Sequence, residues 1–197
     1  MAGRGAEIRR QTRETDVLVR LAVDGAGRCR AATGVGFFDH MLGAFARTAL
    51  VDLEVECRGD LEVEPHHSVE DVGITLGQAL RQALGDRAGL ARYGSSLLPM
   101  DEALARVALD LSGRPYLVWA ADLPLQSIGG FGSDLAEEFW RALATNAAWT
   151  LHIDLLRWRN GHHALEAIWK AAGLALRQAA QRDARIEGAL STKGVLA

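Results

Sequence analysis

Four of the chain's six histidines fall in two adjacent pairs, His66-His67 and His162-His163, and each pair is followed by a glutamate, Glu70 or Glu166, in the pattern His-His-x-x-Glu. Imidazole nitrogens with carboxylate oxygens, and no thiolate among them, are a ligand set for Mn²⁺, Fe²⁺ or Zn²⁺. On a helix, residues four apart share a face, so His66 pairs with Glu70 and His162 with Glu166. The second histidine of each pair is turned away by about 100°. It is therefore directed at a different ion, and each motif is built to feed two metals. One ion takes His66, Glu70 and His163; the other takes His162, Glu166 and His67. A fourth ligand is expected from an earlier helix, where His40 stands 98 residues before Glu138. Site one is then His40, His67, His162 and Glu166, and site two is His66, Glu70, Glu138 and His163. Four protein ligands close a tetrahedral zinc site but leave two positions open on an octahedral ion, so a catalytic role favours Mn²⁺.

The elements that must position these residues come twice. The two His-His-x-x-Glu motifs are 96 residues apart (66 to 162), and Leu80-Arg81-Gln82-Ala83 recurs as Leu176-Arg177-Gln178-Ala179 at the same offset. Residues 53–56 match 151–154 at an offset of 98, and residues 23–28 resemble 109–114. Two structural halves are expected, about 13–89 and 99–188. The first half reads as a strand from 17, a turn at 24–27, a helix over 39–48, a strand over 51–57 and a helix over 68–84. The second reads as strands at 105–111 and 116–120, a helix over 134–147, a strand over 150–156 and a helix over 163–181. Strands and helices without strict βαβ alternation predict an α+β fold of one duplicated half-unit, with helices packed between two mostly antiparallel sheets.

Length and charge set the frame. The 197 residues are 49% hydrophobic and 24% charged, with a formal net charge of −3, the mix of a globular protein with a sizeable core. No basic footprint suggests a nucleic-acid partner. No apolar run approaches the roughly 18–20 residues that span a bilayer, and residues 1–16 lack the apolar core of a signal peptide. The two cysteines, Cys29 and Cys57, form no C-x-x-C pair. A reduced, cytoplasmic protein is expected.

Four segments, in order, carry a resemblance. They are Thr33-Gly34-Val35-Gly36-Phe37-Phe38-Asp39-His40-Met41-Leu42; Gly59-Asp60-Leu61 with His66-His67-Ser68-Val69-Glu70-Asp71-Val72-Gly73; Gly161-His162-His163-Ala164-Leu165-Glu166-Ala167; and Ser191-Thr192-Lys193-Gly194-Val195-Leu196. From about residue 13 to the C-terminus the chain resembles the imidazoleglycerol-phosphate dehydratase family of histidine biosynthesis. The resemblance implies dehydration of D-erythro-imidazole glycerol phosphate to imidazole acetol phosphate, with the substrate's imidazolate held by two Mn²⁺ ions. It also implies a duplicated half-unit and an assembly of 24 subunits. Glu138 stands where the family often has histidine, and Ala189-Leu190 where a proline often precedes the Ser-Thr-Lys segment.

The resemblance assigns further roles. Glu14, in Thr12-Arg13-Glu14-Thr15, matches the family's acid/base candidate; the metal-site residues His40 and Glu166 are also expected to be catalytic. Arg92, Arg114, Lys170 and Lys193 match its phosphate-binding cations, with Ser191, Thr192 and Gly194 completing the tail motif. Arginine forks suit phosphate oxygens and lysine supplies a point charge. The segment Gly94-Ser95-Ser96 beside Arg92 offers a weaker phosphate turn. Two other classes share the ligand set: a di-metal hydrolase or oxygenase, and a metal-storing shell protein. A storage shell has no use for the cation clamp. Because each motif aims its two histidines about 100° apart, neighbouring subunits are expected to share each metal site, in a closed homo-oligomer.

Overall fold

The computed structural model describes residues 3–195; Leu196, which ends the C-terminal motif, lies outside the described residues. In chain order the elements are β1 (Gly5–Gln11), β2 (Thr15–Ala22), β3 (Cys29–Ala32), α1 (Gly36–Ala49), β4 (Asp52–Gly59), α2 (His66–Leu84), β5 (Tyr93–Met100) and β6 (Ala103–Asp110). There follow β7 (Tyr116–Ala120), a short hairpin of β8 (Ser127–Ile128) and β9 (Phe131–Gly132), α3 (Leu135–Ala147), β10 (Thr150–Arg157) and α4 (Gly161–Ala179). One sheet has the order β1-β2-β4-β3 and the other β5-β6-β10-β7. Each is antiparallel except for one parallel pair, β3–β4 in the first and β7–β10 in the second.

Both sheets bury one face by the period-2 rule. In β2, Val17, Val19 and Leu21 point inward; in β6, Ala105, Val107 and Leu109 do. Helix α2 covers the first sheet and α4 the second, while α1 packs on α4 and α3 on α2. The helices thus lie between two sheets, the α+β arrangement expected from the sequence. Their shared interior is aromatic: the Phe139 and Trp169 rings stack at 5.6 Å, and Trp140 and Phe131 pack edge-on against Trp169 or tilted to it.

Two helix crossings are unusually close, and they occupy matching places. A Cβ on Gly77 of α2 would stand 2.7 Å from the Leu143 carbonyl oxygen of α3, and one on Gly173 of α4 would stand 2.6 Å from that of Phe45 in α1. The offsets are the familiar ones: 96 between the glycines (77 to 173) and 98 between the carbonyls (45 to 143). Glycine lets the backbones meet there, and the helix N-termini that carry the histidines follow from those crossings.

Nine elements fall within a few residues of the sequence reading. Five strands do not appear in it: β1, β3, β5, β8 and β9. The Gly94-Ser95-Ser96 segment is part of β5 rather than a phosphate turn: Ser96 Oγ donates to the Ala171 carbonyl at 2.8 Å. The matching of residues 23–28 with 109–114 also shifts. Leu21 pairs with Leu53 and Leu109 with Leu151, so sheet register sets Leu21, not Val23, opposite Leu109 in the comparison of the halves. Asp24 with Asp110, and Gly27-Arg28 with Gly113-Arg114, match at an offset of 86 rather than 88, which is the source of the two-residue slip.

Candidate active site

His40, His162 and Glu166 meet where α1 crosses α4. Glu166 Oε2 lies 3.1 Å from His162 Nε2 and 3.5 Å from His40 Nε2. One ligand atom from each of the three falls within 4.8 Å of the others. Local structure holds each in place. Asp39 Oδ1 accepts hydrogen bonds from the Thr33 N–H and hydroxyl, fixing the first turn of α1 and so His40. The Phe37 ring meets the His162 ring edge-on at 5.1 Å. Asn160 caps α4, accepting from the N–H groups of His162 and His163, and satisfies donors that would otherwise be orphaned. Burial alone would push the Glu166 carboxyl up, but Lys170, 2.7 Å away, with His40 and His162, holds it below the usual carboxylate range. An ionised carboxylate with two imidazoles fits a divalent cation.

The other predicted ligands are not gathered into this trio within one chain. His67, at the start of α2, has its Nδ1 3.1 Å from Asp60 and its Nε2 3.9 Å from Glu14 Oε2. His163 has its Nδ1 2.9 Å from Glu102 Oε2 and 3.9 Å from Asp101. Both imidazoles are pushed up from their ordinary pKa, by Asp60 and by Glu102 respectively, and Glu102 is held down to about 2, chiefly by His163. His66 and Glu70 lie half-buried one turn apart on α2. Glu138, in the first turn of α3, lies 3.7 Å from the Arg141 guanidinium. His66 and Glu70 on α2 and Glu138 on α3 ride a pair of helices that packs as α4 and α1 do, but among the described residues they are not drawn together as His40, His162 and Glu166 are. Asp60 and Glu102 are acidic partners that the sequence reading assigned no role; no fixed spacing ties them to their histidines.

The tail residues form a second feature. Arg92, Arg114, Ser191, Thr192 and Lys193 line one open cleft of about 1070 Å³. Arg92 is almost wholly buried and organises it. Its guanidinium grips Asp110 with two hydrogen bonds, 2.7 and 3.0 Å, and donates a third to the Leu190 carbonyl at 2.6 Å. That third bond brings the Ser191–Lys193 segment to the cleft. Gly194, at φ 73°, donates to the Ser191 carbonyl and closes the turn. Its positive φ is ordinary for glycine and uncommon for other residues. Lys170 stands apart, on α4 between Glu166 and the Met100 sulfur.

A sequence model of the imidazoleglycerol-phosphate dehydratase family matches residues 33–176. The imidazoleglycerol-phosphate dehydratase of Acetivibrio thermocellus is 55% identical over 190 residues, 96% of this chain and 97% of that protein. The enzyme of that name from Desulfitobacterium hafniense is 56% identical over the full length of both. Among solved structures, imidazoleglycerol-phosphate dehydratase from Pyrococcus furiosus superposes with a TM-score of 0.82 at 39% identity, covering 96% of this chain and all of that one. The Staphylococcus aureus enzyme gives 0.80 at 39% identity, over 91% and 99%. With sequence and fold in agreement across almost the whole chain, it belongs to the imidazoleglycerol-phosphate dehydratase family of lyases.

Proposed function

We propose that the chain dehydrates D-erythro-imidazole glycerol phosphate to imidazole acetol phosphate in L-histidine biosynthesis, as a cytoplasmic homo-oligomer of 24 subunits with two Mn²⁺ per chain. The observation that carries this reading is the meeting of His40, His162 and Glu166. Those three would hold one ion. His66, Glu70 and Glu138, on the matching pair of helices, would hold the other. His67 and His163 then complete the two sites from neighbouring subunits. The matched crossings also support reading the chain as two copies of one half-unit.

When bound, the ions supply Lewis-acid polarisation of the substrate's imidazole. The rest falls to the chain's own groups. In the net reaction one C–H and one C–O bond break on neighbouring carbons, a proton and a hydroxide leave as water, and the resulting enol becomes the ketone. Glu14 is exposed, with Oε2 3.9 Å from His67 Nε2, and is the carboxylate placed to carry the proton. A positioned acid/base of this kind contributes about 10²–10⁴-fold. Lys170 keeps Glu166 ionised and adds a cation beside the trio. Arg114, Lys193 and the hydroxyls of Ser191 and Thr192 bind the phosphate, on a cleft that Arg92 braces.

The test is conversion of imidazole glycerol phosphate by protein loaded with Mn²⁺, read by the ultraviolet absorbance of the enolised product. Product with the wild type and none with His162→Ala is expected. No product from the loaded wild type would overturn the reading.

A further inference from the structure

The hairpins β1–β2 and β5–β6 share one pairing register. Gln11 pairs with Asp16 and Pro99 with Leu104, while Ala22 pairs with Asp52 and Asp110 with Thr150. The offset between hairpins is therefore 88 throughout (11 to 99, 16 to 104, 22 to 110). At that offset the counterpart of Glu14 is Glu102. Each glutamate sits in the turn of its hairpin, and each faces the second histidine of a pair: Glu14 faces His67 and Glu102 faces His163.

The two glutamates nevertheless meet different nitrogens. In the first half, Asp60, just past β4, occupies Nδ1 of His67 at 3.1 Å, and Glu14 is left 3.9 Å from Nε2. In the second half, β10 bulges between Leu155 and Arg157 and the chain runs on through Trp158 and Arg159, with Trp158 at the position 98 residues after Asp60, so no carboxylate arrives where Asp60 would stand. Glu102 fills that place itself. Its Oε2 lies 2.9 Å from His163 Nδ1, and its Oε1 accepts the Asn160 N–H at 2.8 Å. Asn160 in turn caps the helix that carries His163. Glu102 is only a quarter exposed and its two oxygens are both engaged, whereas Glu14 is more than half exposed.

We propose that Glu102 is the positioning residue for His163: it accepts the Nδ1–H, fixes the tautomer, and leaves the Nε2 lone pair as the only one the ring can offer a metal. Asp60 does the same for His67, which frees Glu14 for proton transfer. A carboxylate behind a ligating histidine orients the ring and raises its basicity, and its loss costs about 10–100-fold in metal affinity. The inference rests on the two-metal reading above.

The experiment is Mn²⁺ binding to the full chain, followed by the electron paramagnetic resonance of free Mn²⁺ and by competition with a chelator. Variants Glu102→Ala and Glu102→Gln are compared with wild type, and circular dichroism checks that each folds. Glu102→Gln keeps a carbonyl that can accept the Nδ1–H. One of the two ions should bind about 10–100-fold more weakly in Glu102→Ala and less weakened in Glu102→Gln, with two ions per chain still bound at saturating metal in both. Wild-type affinity in Glu102→Ala overturns the positioning role alone. Loss of one ion per chain at saturation in Glu102→Gln overturns it too, because Glu102 would then be a ligand. A wild type that takes up no Mn²⁺ overturns the two-metal reading, and this inference with it.

Discussion

Glu14 and Glu166 show what residue type and spacing can and cannot convey. The histidine pairs and their glutamates were legible because an i/i+4 spacing puts side chains on one face wherever a helix forms. Of the site-one set, the structure joins His40, His162 and Glu166 and leaves His67 with Asp60 and Glu14. The partnerships of Asp60 with His67 and of Glu102 with His163 were not legible, since they span turns and hairpins whose registers no local spacing sets. Glu14→Gln should fold and bind metal as the wild type does, with kcat lower by roughly 10²-fold or more; steady-state kinetics on the metal-loaded variant checks it, and a near-normal kcat would return Glu14 to a solvated turn residue. Lys193→Ala should raise KM by roughly 10-fold or more through loss of a charged phosphate contact, with metal content unchanged; an unaltered KM would assign the tail to packing.

The long helices and central strands were readable because each carries a strong period. Helices α1 to α4 all bury one face, β2, β4 and β6 alternate along their length, and β10 does so over its first four residues. The strands missed were weak in that signal. β1 lies at a sheet edge with Glu7, Arg9 and Gln11 exposed, and β5 likewise leaves Tyr93, Ser95 and Leu97 in solvent. β3, β8 and β9 are four residues or fewer, too short for a period to register. Ala is normally the better helix former by about 0.8–1 kcal/mol over Gly. At Gly43 of α1 the space for a Cβ is open, so Gly43→Ala should stabilise by roughly that amount. At Gly173 the Cβ would press on the Phe45 carbonyl, so Gly173→Ala should destabilise by about 1–3 kcal/mol. It should also weaken Mn²⁺ binding by parting His162 from His40. Urea unfolding of both variants decides this: a stabilised Gly173→Ala would mean that the crossing yields at no cost.

At the scale of the molecule, the repeated offsets, the matched sheet orders and the paired glycine crossings agree. Among the described residues no helix is long and apolar enough to cross a membrane. What one chain's sequence could not convey is which subunit supplies which ligand, because an interface is written in surfaces rather than in periods. If His67 and His163 reach sites on neighbours, metal binding free energy is also assembly free energy. Chelation should then split the particle into smaller oligomers and Mn²⁺ should rebuild it, as sedimentation will show; full size retained without metal would place the holding contacts elsewhere. Dehydration should need both ions of each chain, which is checked by titrating metal-free protein with Mn²⁺ while following turnover of imidazole glycerol phosphate. Activity should rise to a plateau at two Mn²⁺ per chain, whereas a plateau at one ion per chain, or turnover with none, would contradict it.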